Sequence, residues 1–384
     1  MIAPTPYFSD RGCHVRIYEE ARALRARGHE VVIVTYHLGR DLGDILTVRI
    51  AKIPWYRKLS AGPSWHKLYL DILLLYKAIV VAKQFKPDIV HAHLHEGAFL
   101  AAIAKCSLGV PLFFDCQGSL CGELLDHGFM RQKGLLHRFF AKIESWINRQ
   151  ADFIVTSSTP TAETLRAEFP EMSTRLKPLP DAVDTDFFTP SPKDQKLFVD
   201  LGLPEGKKII VYLGAMTEYQ GVDMLLNALQ QLSLKRNDFH ALLMGYPESD
   251  YIERARVLGL DDRITFAGKL DYAEAPRYLC LGDIAVSPKL STSEANGKLL
   301  NYMACGLPCV VFDNPVNREL LGETGVYVEN INAADFARHL ADLLNHPERL
   351  APLAEQSRAH AVACHSWRAR IKILEQIYMG MISA

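Results

Sequence analysis

No run of apolar residues in this 384-residue chain reaches the roughly 18 needed to cross a bilayer as a helix; residues 68–81 come nearest and are broken by Asp71 and Lys77. A membrane-spanning helix is therefore not expected. The opening residues have neither the charged stretch nor the small-residue cleavage site of a secretory leader, so the expected location is cytoplasmic, with peripheral contact to the inner face of a membrane as an extension. Paired cysteine spacing is missing as well. The eight cysteines (13, 106, 116, 121, 280, 305, 309 and 364) stand singly, which argues against a disulfide framework and predicts buried free thiols. Net charge is nearly absent at −1 overall, but residues 1–180 hold 23 Lys+Arg against 17 Asp+Glu and residues 181–384 hold 20 against 27. An excess of positive charge in the first half suits an anionic partner such as a membrane surface or an acidic acceptor, although chance distribution gives the same count.

What is present is alternation. Short apolar strands at 1–4, 30–35, 88–91, 111–114 and 153–156 are separated by helical patterns near 15–27, 65–85 and 133–150. A second series begins at Lys208, with strands at 209–213, 240–244, 264–266, 284–287 and 309–312. Strand and helix in turn imply doubly wound parallel sheets, and the length implies two of them. The proline- and aspartate-rich residues 177–190 read as the linker. The first strand is about half a normal length, as if residues preceded Met1.

The segment from Ser287 to Pro308 carries the most chemistry. A polar loop joins the apolar strand 284–287 to a helix expected to start near Asn296, and Gly306 with Pro308 ends that helix. Backbone N–H groups at Asn296, Gly297, Lys298 and Leu299 would then face the carboxyl edge of the sheet, where open α/β sheets take anionic ligands such as phosphate. A turn bearing Gly12 after the first strand also allows close backbone approach. It does not read G-x-G-x-x-G, so a dinucleotide-binding site is not expected there.

Several landmarks fall in one order: Gly12 and Arg27-Gly28-His29-Glu30-Val31; residues 179–184 through Phe188 and Pro190; Tyr212-Leu213-Gly214 with Gln220-Gly221-Val222-Asp223; residues 264–268 and 279–288; then the segment above and Ser366-Trp367. Together they resemble the retaining glycosyltransferases of family 4 (glycosyltransferase group 1), over nearly the whole chain. The resemblance implies the α/β GT-B fold, two Rossmann-like domains facing a cleft. Residues 1–180 would bind the acceptor and residues 181–365 the nucleotide sugar, with a helix over about 366–384 packing back on the first domain. It implies metal-independent, retaining sugar transfer (EC 2.4, hexosyl or N-acetylhexosaminyl) from a nucleoside diphosphate sugar, UDP-sugar favoured, to a hydroxyl of a glycan, glycolipid or small molecule, without a cofactor or nucleic acid.

Departures from the family pattern locate the questions. Asn301 stands where a ribose-binding Glu is expected, and the sugar-binding Glu falls near Ser293 or Glu294. Ala215 and Gln220 replace the Arg and Lys that neutralise the donor diphosphate, leaving Lys269, Lys289 and Lys298 as substitutes at strand ends. After the strand at 111–114 the chain reads Asp115-Cys116-Gln117 in place of a His beside the reaction centre. The resemblance thus nominates Glu294, Gln117 and Asp115 as catalytic. Gly12, Gly214, Lys269, Lys289, Asn296, Gly297, Lys298, Leu299 and Asn301 are assigned to the donor, and Arg11, His14, His95 and Glu123 to the acceptor. The alternation His91, His93, His95 at a strand end would also permit a metal cluster, with strand-end packing the plainer reading. The basic amphipathic residues 131–149 suit either a membrane-surface helix or an ordinary helix on the sheet. Loss of the expected charges keeps open a non-catalytic nucleotide-sugar-binding protein or a nucleotide-sugar epimerase.

Overall fold

A computed structural model describes residues 1–10, 12–59, 64–126, 130–131, 134–290 and 296–383, the side chains of Glu123 and Asp126 excepted. The chain divides into two compact units. The first holds Met1–Asp181 and Arg370–Ala384, and the second runs from Ala182 to Ala369 apart from three residues outside the description.

In the first unit the elements are β1 (Ile2–Ala3), α1 (Gly12–Ala26), β2 (Val32–Thr35), β3 (Leu46–Arg49), α2 (Lys67–Phe85), β4 (Val90–His93), α3 (Leu94–Leu108), β5 (Leu112–Cys116), α4 (Leu120–Asp126), α5 (Leu135–Gln150), β6 (Phe153–Thr156), α6 (Thr159–Glu168) and β7 (Leu176–Pro178). The strands form one parallel sheet in the order β3-β2-β1-β4-β5-β6-β7. Strand order reverses between β1 and β4, so their carboxyl ends open the crevice where such sheets bind ligands. The inner strands β1, β2, β4 and β5 are buried along their whole length. Residues 177–178, expected in the linker, are instead the last edge strand.

The second unit holds α7 (Gln195–Asp200), β8 (Lys208–Leu213), α8 (Val222–Ser233), β9 (Phe239–Met244), α9 (Ser249–Val257), β10 (Ile264–Gly268), α10 (Ala275–Leu279), β11 (Ile284–Ser287), α11 (Lys298–Ala304), β12 (Cys309–Phe312), α12 (Pro315–Leu321), β13 (Gly325–Val328), α13 (Ala333–Asn345) and α14 (Leu350–Cys364). Its sheet is parallel in the order β10-β9-β8-β11-β12-β13, which puts the reversal between β8 and β11. The last helix, α15 (Trp367–Ser383), starts in the second unit and belongs to the first from Arg370 onward. There Ile371, Leu374 and Ile377 join Leu24, Phe113 and Val155 in a core, and Glu375 pairs with Arg27.

The cysteine expectation holds in part. Cys116, Cys121, Cys280, Cys305 and Cys309 are buried thiols, whereas Cys106 and Cys364 are exposed and Cys13 is half-buried. Single cysteines on helix surfaces need no apolar surroundings, and the pattern had no means of separating the two kinds.

Candidate active site

In the second unit the loops after β8 and β11 are pressed together. A Cβ on Gly221, whose φ is +75°, would meet the Pro288 carbonyl oxygen at 1.9 Å, so only glycine permits that approach. The Leu290 N–H donates to the Tyr219 carbonyl across the same seam. Helix α11 is tied to β8 by Tyr302, whose hydroxyl accepts from Leu213 N–H at 2.7 Å and donates to the Leu213 carbonyl at 3.3 Å.

These constraints place Lys298, the first residue of α11, over the end of β8. Its Nζ donates to Gln220 Oε1 at 2.7 Å and to the Tyr212 hydroxyl at 3.4 Å, and lies 4.5 Å from the Tyr212 ring centre. It sits beside Gly214, where a Cβ would come within 2.6 Å of it. All of these partners are neutral. Burial, and then the neighbouring Lys289, push the ammonium well below its ordinary value. Lys289 is itself buried, just past β11. Two lysines therefore converge on the β8–β11 reversal, and Gln220, where the resemblance expected a lysine, instead accepts from one of them.

The remaining donor residues divide. Asn301, one turn on from Lys298, is half-buried, and its amide makes no hydrogen bond among the described residues. Asn296 is buried, with its side chain exchanged among Ser287 and Asn317, the latter reaching the Phe312 carbonyl; it fastens the loop. Leu299 is wholly buried and its N–H is bound by the Asn296 carbonyl. The expectation that Asn296 and Leu299 offer free groups to a ligand is corrected: α11 starts at Lys298 with Gly297 as its cap, two residues later than predicted. Lys269 is exposed after β10, two strands from the reversal, roughly 10 Å at the usual strand spacing. Glu294 and Arg11 lie outside the described residues, as does the side chain of Glu123.

In the first unit the reversal between β1 and β4 is filled by a buried polar network. Arg16, on the inner face of α1, donates from Nε and Nη2 to the two oxygens of Asp115 at 2.9 and 2.7 Å, from Nη1 to Asp181, and from Nη2 to the Leu179 carbonyl at 3.2 Å. Asp115 also faces His93 Nδ1 at 3.0 Å and accepts from Gln117 Nε2 at 2.8 Å. Burial alone would raise the Asp115 pKa, but Arg16 and His93 outweigh it and hold the carboxyl far below its ordinary value. Asp115 is fully buried, so it stands one layer behind any substrate, which corrects its expected catalytic contact. Gln117 remains in front, half-buried at the end of β5. A carboxylate only accepts, so the Gln117 amide must turn its NH2 inward and leave Oε1 as its outward atom.

The histidines separate. His91 and His93 share a face of β4, rings stacked at 4.2 Å, while His95 falls on α3, because the strand ends at His93 and a single left-handed residue, Leu94 (φ +63°), turns the chain into helix. His95 is buried 3.4 Å from Glu144, whose carboxylate accepts from the Leu120 and Cys121 N–H groups at the start of α4. His14 is wholly buried; its Nδ1 accepts from Ser9 N–H at 3.0 Å, which makes Nε2 the donor to Thr5 Oγ1 at 2.5 Å. The structure thus uses His14 and His95 to shape loops and helix starts, a correction to their expected place at an acceptor. Gly12 opens α1, exposed, with nothing within 4 Å of where a Cβ would be.

Glu20, His91 and His93 bring ligand atoms within 4.8 Å of one another, all buried. Burial, then Asp115, push the Glu20 carboxyl well up, and burial keeps both histidines low. Burial thus favours the neutral form of all three, beside the carboxylate of Asp115. From the sequence, Tyr212 is a landmark without a role, and none is given to Arg16 or to one Asp-x-Asp, Asp184-Thr185-Asp186. In the last, Asp184 accepts from the Asp186 and Phe187 N–H groups and Asp186 pairs with Arg368, so it closes a turn.

Two family models cover most of the chain: a glycosyl transferase 4-like domain over residues 11–181 and glycosyl transferases group 1 over residues 207–346. The chain belongs to the group 1 glycosyltransferases. A 2-deoxystreptamine N-acetyl-D-glucosaminyltransferase of Streptomyces fradiae is 25% identical, covering 90% of this chain and 85% of the relative. A D-inositol 3-phosphate glycosyltransferase of Thermobispora bispora is 25% identical over 96% and 89%. Among solved structures, HepE of Anabaena in complex with UDP superposes with a TM-score of 0.77 at 16% identity, covering 99% of this chain and 98% of that one. The protein is thus a glycosyltransferase with the two Rossmann-like domains of the GT-B fold. No helix among the described residues is long and apolar enough to cross a membrane.

Proposed function

We propose that this glycosyltransferase takes a nucleoside diphosphate sugar, UDP-sugar favoured, and transfers the sugar with retention to an acceptor hydroxyl, using no metal ion or other cofactor. The observation that carries the reading is Lys298. A desolvated ammonium whose partners among the described residues are all neutral, reinforced by a second lysine, is costly unless an anion completes it. A diphosphate at the reversal of an α/β sheet supplies that anion. Gly214 leaves room for the Lys298 ammonium, Asn301 lies one turn further along α11 for the ribose hydroxyls, and Glu294 is assigned to the sugar.

In the transfer, the acceptor oxygen bonds to the anomeric carbon on the face from which the C–O bond to the diphosphate breaks, and the acceptor's proton passes to the departing phosphate oxygen. Lys298 and Lys289 stabilise the charge that grows on that oxygen. No protein base is required, which suits Gln117: its Oε1 orients a sugar hydroxyl and takes no proton. Residues 181–365 hold the donor and residues 1–180 the acceptor. A UDP complex of HepE supports the choice of base. The curated relatives act on 2-deoxystreptamine and D-inositol 3-phosphate, which supports a cyclic polyol or a glycan or glycolipid hydroxyl as acceptor.

Thermal unfolding with UDP, GDP and ADP tests the donor assignment. A ligand at 100 times its Kd stabilises by about 2.7 kcal/mol. UDP is expected to raise the melting temperature, and silence from all three would sink the reading.

A further inference from the structure

Helices α2, α3 and α5 link consecutive strands that step in one direction across the first sheet, and right-handed crossovers therefore lay them on one face of it. The outward side of such a helix layer is ordinarily polar. Here it is not. Along α2, Leu68, Ile72 and Tyr76 recur at every fourth position and stand exposed, with Trp65, 76% exposed, just before them. Trp55 joins this edge, its indole N–H donating to Tyr69 of α2 at 3.2 Å. On α3, Phe99 and Ile103 are exposed, and Phe99 meets Trp146 of α5 edge-on at 5.7 Å. On α5, Leu135, 85% exposed, continues through Leu136 and Phe139 to Trp146.

The exposed charge among these side chains is mostly basic, and Asp71 of α2 accepts from the Tyr36 hydroxyl. Arg57, Arg131, Arg138 and Lys142 are exposed around them. Among the described acidic groups, Glu96 is paired with Lys67, Glu171 with Arg149, and Glu144 with the start of α4. An open groove of about 440 Å³ runs along α5 between Lys142, Trp146 and Arg149. Three of the four tryptophans, Trp55, Trp65 and Trp146, lie on this face, while Trp367 is buried in the second unit.

We propose that the α2–α3–α5 face is a docking surface for an anionic lipid bilayer, with its Trp, Leu, Ile and Phe side chains entering the interfacial region and its Arg and Lys side chains meeting headgroup phosphates. Apolar side chains ringed by cations match that chemistry on both counts. A second copy of the same face does not fit, because a two-fold pairing sets like charges against each other. The inference goes beyond the donor assignment and does not depend on it.

Flotation with phosphatidylcholine vesicles containing one third phosphatidylglycerol, followed by tryptophan emission, tests it on the full chain. The expected result is co-flotation and a blue shift with the anionic vesicles, both reduced at high salt and absent with phosphatidylcholine alone. The doubly substituted Ile72→Asp, Phe139→Asp protein, altered only at exposed positions, is expected to keep its melting temperature and UDP response while partitioning at least about tenfold more weakly. Failure to float, equal flotation on neutral vesicles, or full binding by the double variant overturns the proposal. Any of these with an intact UDP response leaves the donor reading standing.

Discussion

Removing Arg16 is the sharpest perturbation of the first unit. Its guanidinium makes four hydrogen bonds, to both oxygens of Asp115, to Asp181 and to the Leu179 carbonyl, and it is almost fully buried. Arg16→Met keeps the stem volume and deletes the charge, leaving Asp115 desolvated with only His93 and Gln117. Breaking a buried pair from one side costs about 3–5 kcal/mol, a fifth or more of a typical total of about 5–15 kcal/mol. Arg16→Met with Asp115→Leu removes the stranded anion and is expected to recover at least half of that loss. It does not restore activity, because Gln117 loses the carboxylate that turns its amide. Urea denaturation followed by tryptophan emission, with its three first-unit tryptophans, reads the stabilities, and a double-mutant cycle gives the coupling. The sign with pH follows: Asp115 has a depressed folded pKa, so the pair stabilises above the unfolded value near 3.9 and that stability is lost as pH falls below it. A loss under about 1 kcal/mol for Arg16→Met, or a double variant no more stable than the single, would refute the account of this network as a buried clamp.

Two further outcomes follow from the geometry. Gly12→Ala places a methyl group in open space, so stability should change by less than about 0.5 kcal/mol; a fall in kcat/KM with unchanged melting would show that a ligand approaches this backbone, and unchanged kinetics would remove Gly12 from the site. His240 is held neutral, its pKa lowered to about 4 first by burial and then by Lys207 and Arg263, so its contribution is present above pH 6.5 and lost as pH falls toward 4. Discounted for partial solvent screening this is worth about 2 kcal/mol, and urea midpoints for wild type and His240→Gln should converge across that window; parallel curves would show that the ring does not titrate as described.

The alternation of apolar strand and helix was legible because both sheets are parallel and their inner strands buried, so most of those strands read as short apolar runs. Helix α3 escaped notice because no loop precedes it: Leu94 alone turns β4 into a helix, and an Ala-rich sequence between two strands carries weak periodicity. Strand β3 escaped because it is an edge strand of four residues, none of them fully buried. At the site, residue types and order could be read, but burial could not. Asn296 and Leu299 sit in the right segment and face inward, which depends on a two-residue difference in where α11 begins. Arg16 had a usable signal. It shares the inward stripe of α1 with Ile17, Glu20, Ala21 and Leu24, and charges on the buried face of a helix must be paired, although the partner 99 positions away could not be named.

The most direct test of the central claim is calorimetric titration of UDP into wild type and Lys298→Met. If the lysine pair completes a diphosphate site, the variant binds at least about tenfold more weakly, since a charge-assisted contact is worth about 1.5–3 kcal/mol, with unchanged melting in the absence of nucleotide. Equal Kd values for the two proteins would contradict the assignment of Lys298 to the donor.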